Sequence, residues 1–362
     1  MNNYNISFGI LDRYVGRNIL VSVVVIAISL ALFTGLITLI DKTRYIGRGS
    51  VDFLFVCEYV TYLLPGIFVT FFPVAILLGG VIGLGMMARN SEIVILQSIG
   101  LSQLNIAMTC LKTLIPAILV VMAIGEYVVP KTTQYAETRL TEKTSKGKIS
   151  VSASGIWLKE GNSFISISNA LSDGSLVNIV RYDIEGIDLK KEMRAKKAHY
   201  DKKKGTWTVE NVIQREYLEN EVKETRLKTD DWTLNLNPER VEVIGSKSET
   251  LTISGLIDYI GYLESNKQDS STFRLELYNK LISPIAMIVM LMLALSTVFG
   301  PQRSMSMGTR ILAGIALGFS YYVLNQILSP ISLVYGIPPI IGASMGTVVF
   351  GSLAIFLLNR KA

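Results

Sequence analysis

Apolar residues in this chain fall into six long runs, three on either side of one hydrophilic stretch. The first three cover residues 18–40, 53–87 and 104–129, and the later three cover 275–299, 311–328 and 337–358. Each is close to or above the ~20 residues that a helix needs to cross ~30 Å of hydrocarbon. Residues 131–273 are too polar to enter a bilayer. The pattern predicts an α-helical membrane protein with six transmembrane helices and one aqueous domain inserted between helices 3 and 4. It divides the chain at 1–130, 131–273 and 274–362.

Within the polar stretch the period changes. SGIWLKEGNSFISIS (154–168) alternates around Gly161-Asn162, a hairpin signal. AKKAHYDKKKGTWTVENV (195–212) reads as a second hairpin whose basic turn ends at Gly205, and TRLKTDDWTLNL (225–236) as another strand pair. Trp157, Trp207 and Trp232 are spread through these strands as core anchors. Short strands at this spacing predict an all-β sandwich or jelly-roll-like domain. His199 lies on an alternating strand, where a structural place suits it better than catalysis. From about residue 251 the pattern turns helical and leads into the fourth run.

The second run contains Pro65 and Pro73, each removing a backbone donor and predicting a kink. Gly79 and Gly83, Gly314 and Gly318, and Gly342 and Gly346 are spaced to let neighbouring helices approach closely. Such steps serve ordinary packing or a sliding seam. Lys112, Glu126 and Lys280 lie in or near apolar runs. Lys112 is placed to snorkel, the other two to sit at an interface, and a structural role is expected for all three.

Charge assigns the sides. The net charge of +6 and pI of 9.1 are uneven: residues 131–273 hold 22 basic and 22 acidic residues, leaving 13 basic and 7 acidic elsewhere. The surplus therefore concerns membrane orientation, not nucleic acid. Arg13, Arg17, Arg89, Arg303, Arg310, Arg360 and Lys361 fall on one side, against Lys42, Arg44 and Arg48 in short loops on the other. The positive-inside bias then puts both termini in the cytoplasm and the polar domain across the membrane. The first apolar run is too long and too late for a cleavable signal. Cys57 and Cys110 both fall in apolar runs, so the polar domain holds together without disulfides. One histidine and two separated cysteines offer no metal spacing.

Between the second and third runs lies ARNSEIVILQSIGLS (88–102). Asn90 or Ser91 is placed to cap a helix start, Glu92 sits in the first turn where a carboxylate suits the dipole, and Gly100 ends it. A helix of about nine residues is too short to stand alone in water and needs a partner or a membrane surface. Ile93, Ile95 and Leu96 supply its apolar positions.

That helix looks like the coupling helix of an ABC transporter's membrane subunit. FGILDRYVGRNIL, FFPVAILLGGVIGLGMMARNSEIVILQSIG, AIGEYVVP, GPQRSMSMGTRI and LVYGIPPIIGA together resemble the LptF/LptG permeases of lipopolysaccharide export, in the same order across the whole chain. LDRYVG and YGIPPIIGA are closer to the LptG branch than to the LptF branch. The resemblance implies a bacterial inner-membrane permease. Its partners would be an LptF-type permease, two LptB-type ATPase subunits that bind the ATP and magnesium, and an LptC-type protein; its cargo would be lipopolysaccharide. It makes Glu92 the acid that meets the ATPase, flanked by Arg89 and Ser91, with Ile95 on the same helix. It also implies lateral gates at 20–40 and 311–328.

A polyacylated, phosphorylated glycolipid requires an apolar cavity with cations at its rim. Phe71, Phe72, Tyr321 and Tyr322 could line it, or could serve as lipid-facing or packing aromatics. Lys42, Arg44, Arg48 and Arg139 stand where phosphates would lie, or anchor ordinary headgroups. Where some family members carry cations, this chain has Thr38, Gly66, Glu137 and Leu140, which leaves Arg44 as the firmest match among the expected headgroup contacts. No G-x-x-x-x-G-K-[ST] loop occurs, which predicts no ATPase site and no enzyme activity in this chain. The competing readings are a lipoprotein-releasing or MacB-like permease, with four spans and its domain after the first, a membrane-anchored scaffold, and a secondary carrier.

Overall fold

The computed structural model describes residues 9–144, 156–170, 175–186, 188–201, 204–218, 221–233, 250–299 and 307–359. Arg303, Arg360, Lys361 and the 234–236 half of the last expected strand pair lie outside them. The chain divides into two compact units. One holds Met1–Asp41, Val60–Thr132 and Ser271–Ala362; the other holds Lys42–Tyr59 and Thr133–Ser270.

Six helices among the described residues are long and apolar enough to span a bilayer. The first two are α1 (Ile10–Lys42) and α2 (Phe53–Arg89), followed by the short α3 (Glu92–Ser98). Then α4 (Gln103–Ala123) runs through a π-helical turn, Ile124–Val128, into α5 (Val129–Thr144). The third apolar run therefore continues as helix for fifteen residues beyond 129. α2 persists through Pro65 and Pro73.

After the β-strands come α6 (Ile253–Ser265), α7 (Ser271–Phe299), α8 (Met307–Val334) and α9 (Pro339–Asn359). α2 and α7 form the centre of the first unit: Ala75, Ile76, Leu77, Met290, Leu291 and Ala294 are all buried. α1 and α8 leave whole apolar faces exposed, including Val25, Phe33 and Leu36 on α1 and Leu312 and Phe319 on α8.

Glycine sets the closest approach. A methyl group at Gly79 would lie 2.5 Å from the Cα of Val23, so α1 and α2 touch backbone to backbone there. Gly314 and Gly318 face Val74, Leu77, Leu78 and Val81 of α2, and Gly342 and Gly346 face Ser332 and Asn325 of α8. The three glycine steps are packing seams in this conformation.

In the second unit six strands form one antiparallel sheet in sequential order: β1 (Ile156–Glu160), β2 (Ser163–Ala170), β3 (Leu176–Glu185), β4 (Asp188–Asp201), β5 (Thr206–Tyr217) and β6 (Val222–Trp232). Both expected hairpins are present, with Gly161 and Gly205 at positive φ in their turns. The described strands make a meander in one layer. Trp207 and Trp232 face each other across β5 and β6 and are buried with Ile165, Ile167, Leu176 and Val209. Trp157 is different: it is exposed and stacks on Tyr182, with centroids 6.2 Å apart, so it is a surface residue and not a core anchor. His199 is exposed opposite Thr208.

Strict alternation fails within three strands. The buried positions pass from Leu176 to Ile179 in β3, from Ala195 to Ala198 in β4, and from Val209 to Val212 in β5. Asn178 and Asn211 adopt positive φ at this level, a region asparagine tolerates better than other non-glycine residues. Pairing on either side keeps the same register. The shift lets both ends of each strand bury apolar side chains on the common core.

Candidate coupling surface and headgroup cluster

α3 is held to its bundle by one face only. Ile93 (4% exposed) and Leu96 join the core formed by α1, α2, α4 and α7, while Ile95 (59%) and Ile99 (64%) project outward with Val94. Three large aliphatic side chains are thus left exposed close together on and just after this short helix. Gly100 at φ +94° closes the helix, its N–H donating to Gln97 O at 3.0 Å. The start departs from expectation. Ser91 adopts a left-handed φ of 62° and its side chain caps nothing, while Asn90 Nδ2 donates to Glu92 Oε1 at 3.4 Å. The Tyr14 hydroxyl of α1 donates to Glu92 Oε2 at 3.0 Å. Arg89 ends α2, exposed, three residues before Glu92.

Lys42, Arg44 and Arg48 come together, and the agent is a residue that sequence reasoning passed over. All three cations lie over the ring of Tyr45, at 5.3, 5.3 and 5.4 Å from its centroid. A 3-10 turn, Thr43–Tyr45, folds the chain so that they share that ring. Lys42 also lies over Tyr59, at 5.4 Å. The cue in the sequence is the aromatic amid KTRYIGR, a pattern that carries weight only once the turn is known. Arg139 is tied down elsewhere, 3.7 Å from Glu58 and over the Tyr135 ring. Glu137 accepts from the Tyr59 hydroxyl at 3.1 Å.

The four aromatics separate into two kinds. Phe71 and Tyr322 stack across α2 and α8 at 5.1 Å and are half-buried. Phe72 is 1% exposed against Phe68, and Tyr321 is buried edge-on to Phe350 at 5.4 Å. Phe72 and Tyr321 are therefore core residues and do not line a path in this conformation. The charges in the runs are paired. Lys112 Nζ lies 3.6 Å from Asp12, which also accepts from the Thr109 hydroxyl at 2.6 Å. Glu126, in the π-helical turn, meets Lys280 of α7 at 3.7 Å.

In the second unit Glu192, almost fully buried, collects Arg194 Nε at 2.7 Å, the Tyr217 hydroxyl at 3.2 Å and Arg215 at 3.5 Å. Burial opposes its ionisation. The guanidinium of Arg194 and the other donors outweigh burial and hold its carboxyl below the usual range. Among the described residues no cluster of metal-ligating side chains occurs.

Residues 13–360 match the family described as lipopolysaccharide export system permease LptF/LptG. The chain belongs to the LptF/LptG permease family. It is 36% identical over 357 residues to the lipopolysaccharide export system permease protein LptG of Escherichia coli (strain K12), covering 98% of this chain and 99% of that one. To the protein of the same name from Haemophilus influenzae it is 35% identical over 352 residues, covering 97% and 98%. Membership of this family sets aside the four-span permeases, the scaffold and the secondary carrier.

Proposed function

We propose that this chain is the LptG-type permease subunit of a lipopolysaccharide export ABC transporter in the bacterial inner membrane, with both termini cytoplasmic and its β-unit periplasmic. It pairs with an LptF-type permease, two LptB-type ATPases that bind ATP and magnesium, and an LptC-type protein. The observation that carries the reading is α3, an exposed apolar patch of Val94, Ile95 and Ile99 beside the carboxylate of Glu92. Docked in an ATPase groove, the patch is desolvated and Glu92 meets a cation of the motor. The Tyr14–Glu92 hydrogen bond then passes the motor's movement to α1. The exposed faces of α1 and α8 suit gates against the partner permease, the cations around Tyr45 take lipid phosphates, and Phe71 with Tyr322 contacts acyl chains. The sheet serves as a jelly-roll-like platform that receives the cargo; its single buried face and exposed β6 support that use.

The test is affinity purification of the tagged chain in detergent. Wild type brings down a second six-span permease, an ATPase and bound lipopolysaccharide; Glu92→Ala and Ile95→Glu lose the ATPase while keeping the partner permease. Full ATPase recovery and transport-linked hydrolysis with Glu92→Ala refute the role of α3. Labelling of residues 131–273 from the cytosolic side refutes the orientation.

A further inference from the structure

A cavity of about 470 Å³ opens behind α3, where α2 and α7 end and α8 begins. Two guanidiniums, from Arg89 and Arg310, line it together with the carboxamides of Gln97 and Gln103, and its apolar wall is built from residues that include Val298 and Phe299. No carboxylate is among the described residues that line it. Arg310 is only 6% exposed, so its charge is held inside the protein and not offered to bulk water.

Both guanidiniums and both carboxamides border the one space, so it is rich in hydrogen-bond donors. Guanidiniums and amide N–H groups are donors whose geometry fits the several acceptor oxygens of a phosphate. The volume is within the range of small-molecule sites and far exceeds a bare ion's need. The apolar wall takes the carbon-bearing remainder of a phosphate ester. Basic pockets between helices at the cytoplasmic leaflet are where anionic phospholipid headgroups seat.

We propose that this cavity binds a phosphate ester, either the headgroup of an anionic phospholipid or a soluble glycerol phosphate. It is separate from the Tyr45 cluster, which belongs to the other unit. Since Gln97 lies on α3, the bound phosphate braces the docking helix against the bundle. Assigning the ligand to the cytoplasmic leaflet rests on the orientation proposed above; the binding itself does not.

The intact complex is reconstituted in nanodiscs holding equal phosphatidylglycerol and phosphatidylcholine, then extracted, and lipid retained on this subunit is counted by native mass spectrometry. Wild type retains phosphatidylglycerol over phosphatidylcholine by on the order of tenfold. Arg89→Gln combined with Arg310→Gln brings the two lipids close to parity. Because that pair removes a buried group, Gln103→Glu provides a second route: it puts a carboxylate at the exposed first residue of α4, where the helix dipole favours it, and also abolishes the preference. Arg310→Lys retains most of it. Displacement of the lipid by millimolar glycerol phosphate assigns a soluble ester as occupant, and resistance assigns the lipid. Parity in wild type without glycerol phosphate binding, or an undiminished preference in a folded Gln103→Glu complex, overturns the proposal. The readout involves no ATP hydrolysis, so it fails or succeeds independently of Glu92.

Discussion

Breaking the Glu126–Lys280 pair should cost far more than deleting it. The two side chains come from the π-helical turn and from α7, lie 3.7 Å apart, and are each 21% exposed. Removing one partner of a fully buried pair leaves an uncompensated charge worth about 3–5 kcal/mol. A fifth of each side chain still reaches the surface, and Glu276 lies one helical turn from Lys280, so roughly 2 kcal/mol is the better figure here. Glu126→Gln should destabilise the purified chain by that amount, about 30-fold in the folded-to-unfolded ratio. Lys280→Met should do much the same, since it strands Glu126. The double variant, with no charge left to desolvate, should sit within about 1 kcal/mol of wild type. The assay is reversible unfolding in mixed detergent with increasing SDS, followed by the loss of helical circular dichroism, and the quantity is the coupling energy of the cycle. If the double variant loses the sum of the two single losses, the side chains act independently and the pairing is refuted. If all three variants match wild type, both groups are solvated and the burial argument fails.

Gly79→Ala forces the Val23 backbone to move and should cost about 1–3 kcal/mol in the same unfolding assay, whereas Gly261→Ala, a helical glycine whose added methyl meets nothing within 4 Å, should stabilise slightly. Tyr45→Ala should scatter Lys42, Arg44 and Arg48 and lower lipopolysaccharide crosslinking at Arg44, while Tyr45→Phe, which retains the ring, should leave the yield unchanged. Glu192 carries a folded-state pKa below its ordinary value of 4.5, so its contribution is complete above about pH 4.5 and is lost as pH falls through the lower folded value. Acid titration of stability should therefore be shallower in Glu192→Gln than in wild type, the remaining slope coming from Glu224 and Asp231, whose partners depress them too.

The six spans and both hairpins were legible because each rests on a strong local period: long unbroken apolarity for the helices, alternation about Gly161 and Gly205 for the strands. The seams at Gly79, Gly314 and Gly342 were legible for a related reason, since small residues four apart have few other uses in an apolar helix. What failed needed information from elsewhere in the chain. The α1 residue Tyr14 holds Glu92 from 78 positions away. Lys112 finds Asp12 in the same way. The pleat shift at Asn178 and Asn211 moves the inward set by one residue, and a strictly alternating reading of β3 or β5 cannot anticipate it.

The aromatic pairs show the deepest limit. In water, periodicity separates inside from outside because only one face of a helix is apolar. In a bilayer the lipid-facing side is as apolar as the packed side, so Phe71-Phe72 and Tyr321-Tyr322 present the same chemistry to any pattern. Successive residues on a helix nevertheless point about 100° apart. That rotation sends Phe72 and Tyr321 into the core and brings Phe71 against Tyr322. Such a division follows from which neighbouring helix lies on which side, and that is a property of the assembled bundle. The same reasoning explains why α3 was easier to read than the cargo path. On the orientation proposed above its surroundings are aqueous, so exposed Ile95 and Ile99 call for a partner. An exposed Phe33 or Phe319 in hydrocarbon contradicts nothing, and only a bound partner or cargo would reveal its use.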